Sequence, residues 1–157
     1  MAKKTNAVRI VQQHGFNYSE AFYEYDDNDL SGMSAASKMN LPPEQVFKTL
    51  VTRGSKNGIC VFCIPVCCEL DLKLAAKASG DKSISMLPTK ELLSTTGYIR
   101  GGCSPIGMKK LYPTFIDETC QLFDLIAVSA GERGHQILLS PEAIVSIAKA
   151  RIVNIIT

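Results

Sequence analysis

Apolar residues recur along this chain with two periods, one helical and one alternating. Ala7, Val8 and Val11 fall on one side of a helix that Thr5 can cap and Gly15 can end. Residues 20–25 are rich in aromatics and predict a strand. After the acidic loop Asp26 to Asp29, which lacks calcium-loop spacing, Ser34 to Met39 predicts a short helix ended by Asn40. Pro42-Pro43 starts a helical turn through Gln45. Val46 to Arg53 and Ile59 to Pro65 then read as two strands joined by a hairpin turn at Ser55 to Gly58.

The second half repeats the mixture. A helix from Asp71 to Ser79 closes on Gly80, a short strand covers Ser83 to Met86, and Pro88 opens a helix to Ser94. Phe115-Ile116 and Phe123 to Ser129 are strand-like, Gly131 to Gly134 is a turn, and Gln136 to Leu139 returns. Ser140-Pro141-Glu142 combines a cap with a proline at the first helical position, so a helix runs on to about Lys149. Ile152 to Ile155 ends the chain as a strand. The expected fold is α/β of the α+β type: a mixed, largely antiparallel, barrel-like sheet surrounded by helices, in one domain over residues 1–157. Neither a G-x-G-x-x-G after a strand nor a G-x-x-x-x-G-K-[ST] is present, so the usual dinucleotide and nucleotide cradles are not expected.

Composition narrows the function. Seventeen basic against fifteen acidic residues give a net charge of +2. That excludes a protein that holds nucleic acid by bulk charge, DNA included; any contact must be local or assisted by a partner. The longest apolar run, Ile59 to Cys68, is short for a membrane span and is interrupted by Pro65. Met1-Ala-Lys-Lys-Thr lacks the apolar core of a signal peptide, so a cytoplasmic protein is expected.

Four of the six cysteines, Cys60, Cys63, Cys67 and Cys68, fall within nine positions, with Cys103 and Cys120 further on. Cys60 and Cys63 match C-x-x-C and raise the alternative of a redox or zinc protein. They lie on an apolar strand, however, where residues three apart point to opposite faces and cannot share one ion. No second such pair follows, and His14 and His135 are distant in sequence. Buried thiols and no metal are expected.

Two places can carry chemistry. Along the strand from Val46, Lys48 shares a face with Val46, Leu50 and Thr52, whereas Phe47, Thr49, Val51 and Arg53 take the other. A lysine between aliphatic neighbours is either paired, used, or snorkelling into water. The second place is Gly101-Gly102-Cys103-Ser104-Pro105, followed by Ile106-Gly107 and Lys109-Lys110. Its glycines let backbone N–H groups approach an anion or a developing oxyanion, and Cys103 or Ser104 can hydrogen-bond or attack. A plain connecting loop is the alternative.

Taken together, Phe47-Lys48-Thr49-Leu50, Leu70-Asp71-Leu72-Lys73, Thr96 to Gly107 and Lys109-Lys110 resemble the YbaK/EbsC family, over essentially the whole chain. The resemblance implies a trans-acting deacylase that hydrolyses the ester of mischarged tRNA, Cys-tRNA(Pro) above all, beside prolyl-tRNA synthetase and without a cofactor. It implies an essential lysine at Lys48, a G-x-x-x-P loop at Gly101 to Pro105, and a pocket tyrosine at Tyr23. It also implies attack by the substrate's own sulfur; the rival reading makes Cys103 the nucleophile. Two positions depart from the family: its pocket aspartate is Gln136 here, and a pocket phenylalanine is Ser31. Those departures keep open a pocket that binds an aminoacyl or nucleotide group without hydrolysing it.

Overall fold

The computed structural model describes residues 4–157. Met1 to Lys3, part of the N-terminal stretch read above, lie outside the described residues. The chain forms α1 (Asn6–Gln13), β1 (Tyr18–Phe22), α2 (Gly32–Met39), β2 (Phe47–Gly54), β3 (Gly58–Pro65), α3 (Leu72–Ser79), β4 (Ile84–Met86), α4 (Thr89–Thr96), β5 (Thr114–Asp117), β6 (Ile126–Glu132), β7 (His135–Leu139), α5 (Pro141–Ala148) and β8 (Arg151–Val153). Short 3-10 turns cover Pro43–Gln45 and Glu118–Leu122. Among the described residues no helix is long and apolar enough to cross a membrane.

Local chemistry explains the helix ends. Thr5 Oγ1 accepts the Val8 N–H at 3.2 Å, Asp71 accepts the Lys73 and Leu74 N–H groups, and Ser140 accepts the Ala143 N–H ahead of Pro141. Asn40 and Gly80 close α2 and α3 in the left-handed conformation.

The strands form two sheets, in the orders β1-β7-β6 and β4-β2-β3-β5-β8. The pairs β1/β7, β6/β7, β2/β3 and β2/β4 are antiparallel, whereas β3/β5 and β5/β8 are parallel. One parallel bridge, Val46 to Ala127, joins the entrance of β2 to β6 and so links the sheets. The fold is thus the expected mixed, largely antiparallel α+β arrangement.

β3 serves two cores at once because its side chains alternate. Val61 and Cys63 enter the larger core, with Phe47, Ile116, β6, β7, α1 and α5. Cys60, Phe62 and Ile64 enter a second core under Ala75 and Ala76 of α3, where Phe62 stacks on Phe115 at 5.2 Å. Cys60 and Cys63 therefore sit on opposite faces, as the strand reading requires. Asp117 is fully buried yet satisfied: its oxygens accept the Ile155 N–H at 3.0 Å and the Thr119 hydroxyl at 2.7 Å, tying β5 to the C-terminal segment.

Several elements differ from the sequence reading: α2 already starts at Gly32, and β8 covers Arg151–Val153 rather than Ile152 to Ile155. β1 covers Tyr18–Phe22 rather than residues 20–25, because its pairing with β7 stops at Phe22 opposite His135. β6 covers Ile126–Glu132 rather than Phe123 to Ser129, with a register shift between Ser129 and Glu132. Gly131 takes φ +107° there, and the Ser129 hydroxyl accepts its N–H at 3.1 Å.

Candidate active site

A cavity of about 370 Å³ opens where the entrance of β2, the start of α2, the β6–β7 hairpin and the Gly101 loop meet. Lys48 reaches it from β2. Gln136 faces it from β7 and Ser129 lies opposite Gln136 on β6. Tyr23 is held just past β1 by its N–H, which donates to the Gly134 carbonyl at 3.0 Å. Ser31 lines the cavity while its hydroxyl caps α2, accepting the Ser34 N–H at 3.2 Å. Gly32 follows at a point of close approach: a Cβ there would lie 2.2 Å from Val66 Cγ1, so only glycine lets α2 settle on the turn after β3.

The Gly101 loop divides in two. Gly101 and Cys103 line the cavity; Gly102, Ser104 and Pro105 do not. Gly102 lies against the backbone of the β6–β7 turn, where an added Cβ would sit 3.0 Å from Glu132 Cα. Ser104 is fully buried, and its Oγ accepts the Ile106 N–H at 3.2 Å. Pro105 faces a separate, smaller cavity beside Ile10 and His14. The loop is clamped by Tyr98, whose hydroxyl donates to the Ile106 carbonyl. Burial pushes the Tyr98 phenol up to about 12, so it stays a donor at neutral pH. Arg133 Nε donates to the Arg100 carbonyl at 2.9 Å, fixing the loop to the hairpin that carries Gln136. The Gly102 N–H is used by the Ile99 carbonyl, but those of Gly101 and Cys103 meet no protein acceptor among the described residues.

The electrostatics are one-sided. Lys48 and Arg100 line the cavity, and no carboxylate does. Lys48 is only partly exposed, and among the described residues it makes no ion pair and no side-chain hydrogen bond. Gln136 is 7 % exposed and its Oε1 has no hydrogen-bond partner, the only such buried side-chain atom among the described residues. A buried acceptor left unsatisfied costs about 1–3 kcal/mol, so this one is suited to a donor on a bound molecule.

Cys103 is poorly suited to attack. Burial pushes its thiol up to about 12, and the Thr96 hydroxyl offsets only part of that. At neutral pH it is a neutral thiol. Cys103→Ala is expected to cost less than about tenfold in turnover, measured with the purified variant on an aminoacyl-tRNA ester. A much larger loss in a folded variant would make Cys103 the nucleophile.

Sequence reasoning missed Arg100, Ser129 and Val66 as walls of this cavity. Arg100 stood inside the quoted Thr96 to Gly107 block and had the charge to be noticed. Ser129 and Val66 carried no local signal, since only the pairing of β6 with β7 and the turn after β3 bring them in.

Residues 31–147 match the family model described as the aminoacyl-tRNA editing domain. The chain belongs to that family. The match begins at Ser31 and so spans most of the cavity wall, including Lys48, the Gly101 loop and Gln136. A family relative from Enterococcus faecalis, EbsC, carries the description of a proposed Cys-tRNA(Pro)/Cys-tRNA(Cys) deacylase. It is 50% identical over 155 residues, covering 99% of this chain and 94% of its own. Two solved structures share the fold. One, titled as a proposed trans-editing enzyme for prolyl-tRNA synthetase, superposes with a TM-score of 0.81 at 20% identity, covering 99% of both chains. The other, a hypothetical protein, gives 0.86 at 16% identity, covering 96% of this chain and 98% of that one. The resemblance read from Lys48 and the Gly101 loop therefore places the chain in the right family.

Proposed function

We propose that this protein is a trans-acting editing deacylase that hydrolyses the ester of Cys-tRNA(Pro), with prolyl-tRNA synthetase presenting the substrate. One observation carries the reading: an unpaired lysine shares a cavity with free loop N–H groups and an unsatisfied buried acceptor, with no carboxylate among them. That set fits the 3′ end of a charged tRNA. The cations Lys48 and Arg100 suit the phosphate and ribose of the terminal nucleotide. The Gly101 and Cys103 N–H groups suit the ester carbonyl as it becomes an oxyanion. The reaction belongs in the cytoplasm, where tRNA is charged.

An aminoacyl ester is already activated, so placing it and polarising its carbonyl supply most of what is needed. For a cysteinyl ester the substrate provides its own nucleophile. Its sulfur attacks the carbonyl carbon, a C–S bond forms, and the bond to the ribose oxygen breaks. The thiol proton ends on that oxygen, and water then opens the resulting thiolactone to free cysteine. The cavity needs no protein nucleophile for this, in keeping with the neutral Cys103 thiol.

Gln136 sets selectivity in this scheme. Its Oε1 accepts from a donor of the bound aminoacyl group, and a neutral amide holds that group without binding it as tightly as a carboxylate would. Gln136→Leu removes the acceptor without adding charge and is expected to raise KM about tenfold with a smaller change in kcat, measured by ester loss at varied substrate concentration. An unchanged KM would remove Gln136 from the substrate pocket.

A further inference from the structure

The turn after β3 holds two neighbouring thiols that the proposed chemistry does not use. Cys67 is exposed and Cys68 partly exposed, with their sulfurs 3.9 Å apart. Among the described residues no other two cysteine sulfurs make such a contact. Cys60, Cys63 and Cys120 are buried, and Cys103 faces the cavity.

This turn is mechanically joined to the cavity. The Cys68 N–H donates to the Pro65 carbonyl at 3.0 Å, closing the turn over Val66. The Val66 N–H donates to the Val46 carbonyl at 2.8 Å, and its side chain both lines the cavity and presses on Gly32 at the start of α2. Burial, and after it the neighbouring Cys67, push the Cys68 thiol up, and the charge of Lys48 offsets only a little of that. Cys67, the more exposed residue of the two, is the one an oxidant meets first.

We propose that Cys67 and Cys68 are a redox modification site, oxidised by hydrogen peroxide to a disulfide between adjacent residues that displaces Val66 and slows editing. The Cys67 sulfur attacks one peroxide oxygen, giving a sulfenic acid and water. The Cys68 sulfur then attacks the Cys67 sulfur and expels its oxygen as a second water. Two thiols have lost two electrons and two protons, and one peroxide has been reduced to two waters. Adjacent Cα atoms lie about 3.8 Å apart, below the usual span of about 4.4–6.8 Å for a disulfide. Closing the bond must therefore distort the turn, and the product is readily reduced, as a regulatory disulfide is. The effect on editing rests on the function proposed above; the modification does not.

The test treats the reduced, full-length protein with hydrogen peroxide and follows it by peptide mass spectrometry and by Cys-tRNA(Pro) deacylation. The peptide carrying Cys67 and Cys68 should lose two hydrogens and regain them with dithiothreitol. Deacylation should fall about fivefold or more on the same time course and recover on reduction. A Cys67→Ser, Cys68→Ser double variant should keep the basal rate and lose the peroxide response. Free, alkylatable thiols at both positions after peroxide would overturn the site. A reversible disulfide with unchanged deacylation would overturn the coupling to the cavity. If the untreated protein deacylates nothing, the proposed function fails, and the mass measurement still decides whether the disulfide forms.

Discussion

Lys48→Ala should lower kcat/KM for Cys-tRNA(Pro) by about 10²–10³-fold, the usual consequence of removing one preorganised charged or hydrogen-bonding group from a reacting centre. The structure explains why the loss should be in function and not in folding. Lys48 has no acidic partner among the described residues, so its removal strands no buried carboxylate. The melting temperature should hardly move. Lys48→Arg keeps the charge but replaces a compact ammonium with a broad fork, so partial rescue is expected. Lys48→Met, of similar length and neutral, should behave like alanine. If the arginine and methionine variants were equally active, Lys48 would be acting as packing and not as a cation.

Gly101→Ala should have the next largest effect. Gly101 has φ +85°, where an L residue costs about 1–2 kcal/mol. Its new Cβ would also meet the Leu30 side chain, at 3.3 Å from Leu30 Cβ and 3.4 Å from both δ-carbons. Leu30 is itself a wall of the cavity. The backbone has to turn or Leu30 has to move, and either shifts the Gly101 and Cys103 N–H groups that the proposed function assigns to the ester carbonyl. A misplacement of about 1 Å can cost about 10²-fold in rate, so kcat should fall by that order while stability drops by only about 1–2 kcal/mol. Activity and thermal unfolding of the same preparation separate the two. A wild-type rate would show that the loop does not contact the reacting group.

The contrast with Gly102 shows what a sequence motif hides. Both glycines were read as parts of one anion-holding loop. Gly101 lines the cavity with a free N–H, whereas Gly102 packs against the β6–β7 turn and spends its N–H on Ile99. Spacing alone does not distinguish a glycine needed for approach to a ligand from one needed for approach to backbone.

Local signals were reliable where the physics is local. Thr5, Asn40, Asp71, Gly80 and Ser140-Pro141 end or start helices as their side chains and backbone preferences dictate. The β2–β3 hairpin follows from alternation and the turn at Ser55 to Gly58. Non-local pairing was not legible. Nothing in Phe115-Ile116 says that β5 runs parallel between β3 and β8, and nothing near Tyr18 says that β1 pairs with β7. The same limit applies at the site. Lys48 could be placed on a half-buried face by alternation, but whether it was paired or free depended on what long-range contacts brought beside it. Gln136 was marked only by its departure from the family aspartate; that its Oε1 has no partner became visible with Ser129 and Ala21 in register on either side.

The most direct measurement incubates the purified protein separately with Cys-tRNA(Pro), Ala-tRNA(Pro) and Pro-tRNA(Pro), follows loss of the ester, and repeats each with Lys48→Ala. The account predicts rapid loss of cysteine, little loss of alanine or proline, and collapse of the cysteine rate in the variant. Equal, slow loss from all three, or a cysteine rate that does not depend on Lys48, would contradict it.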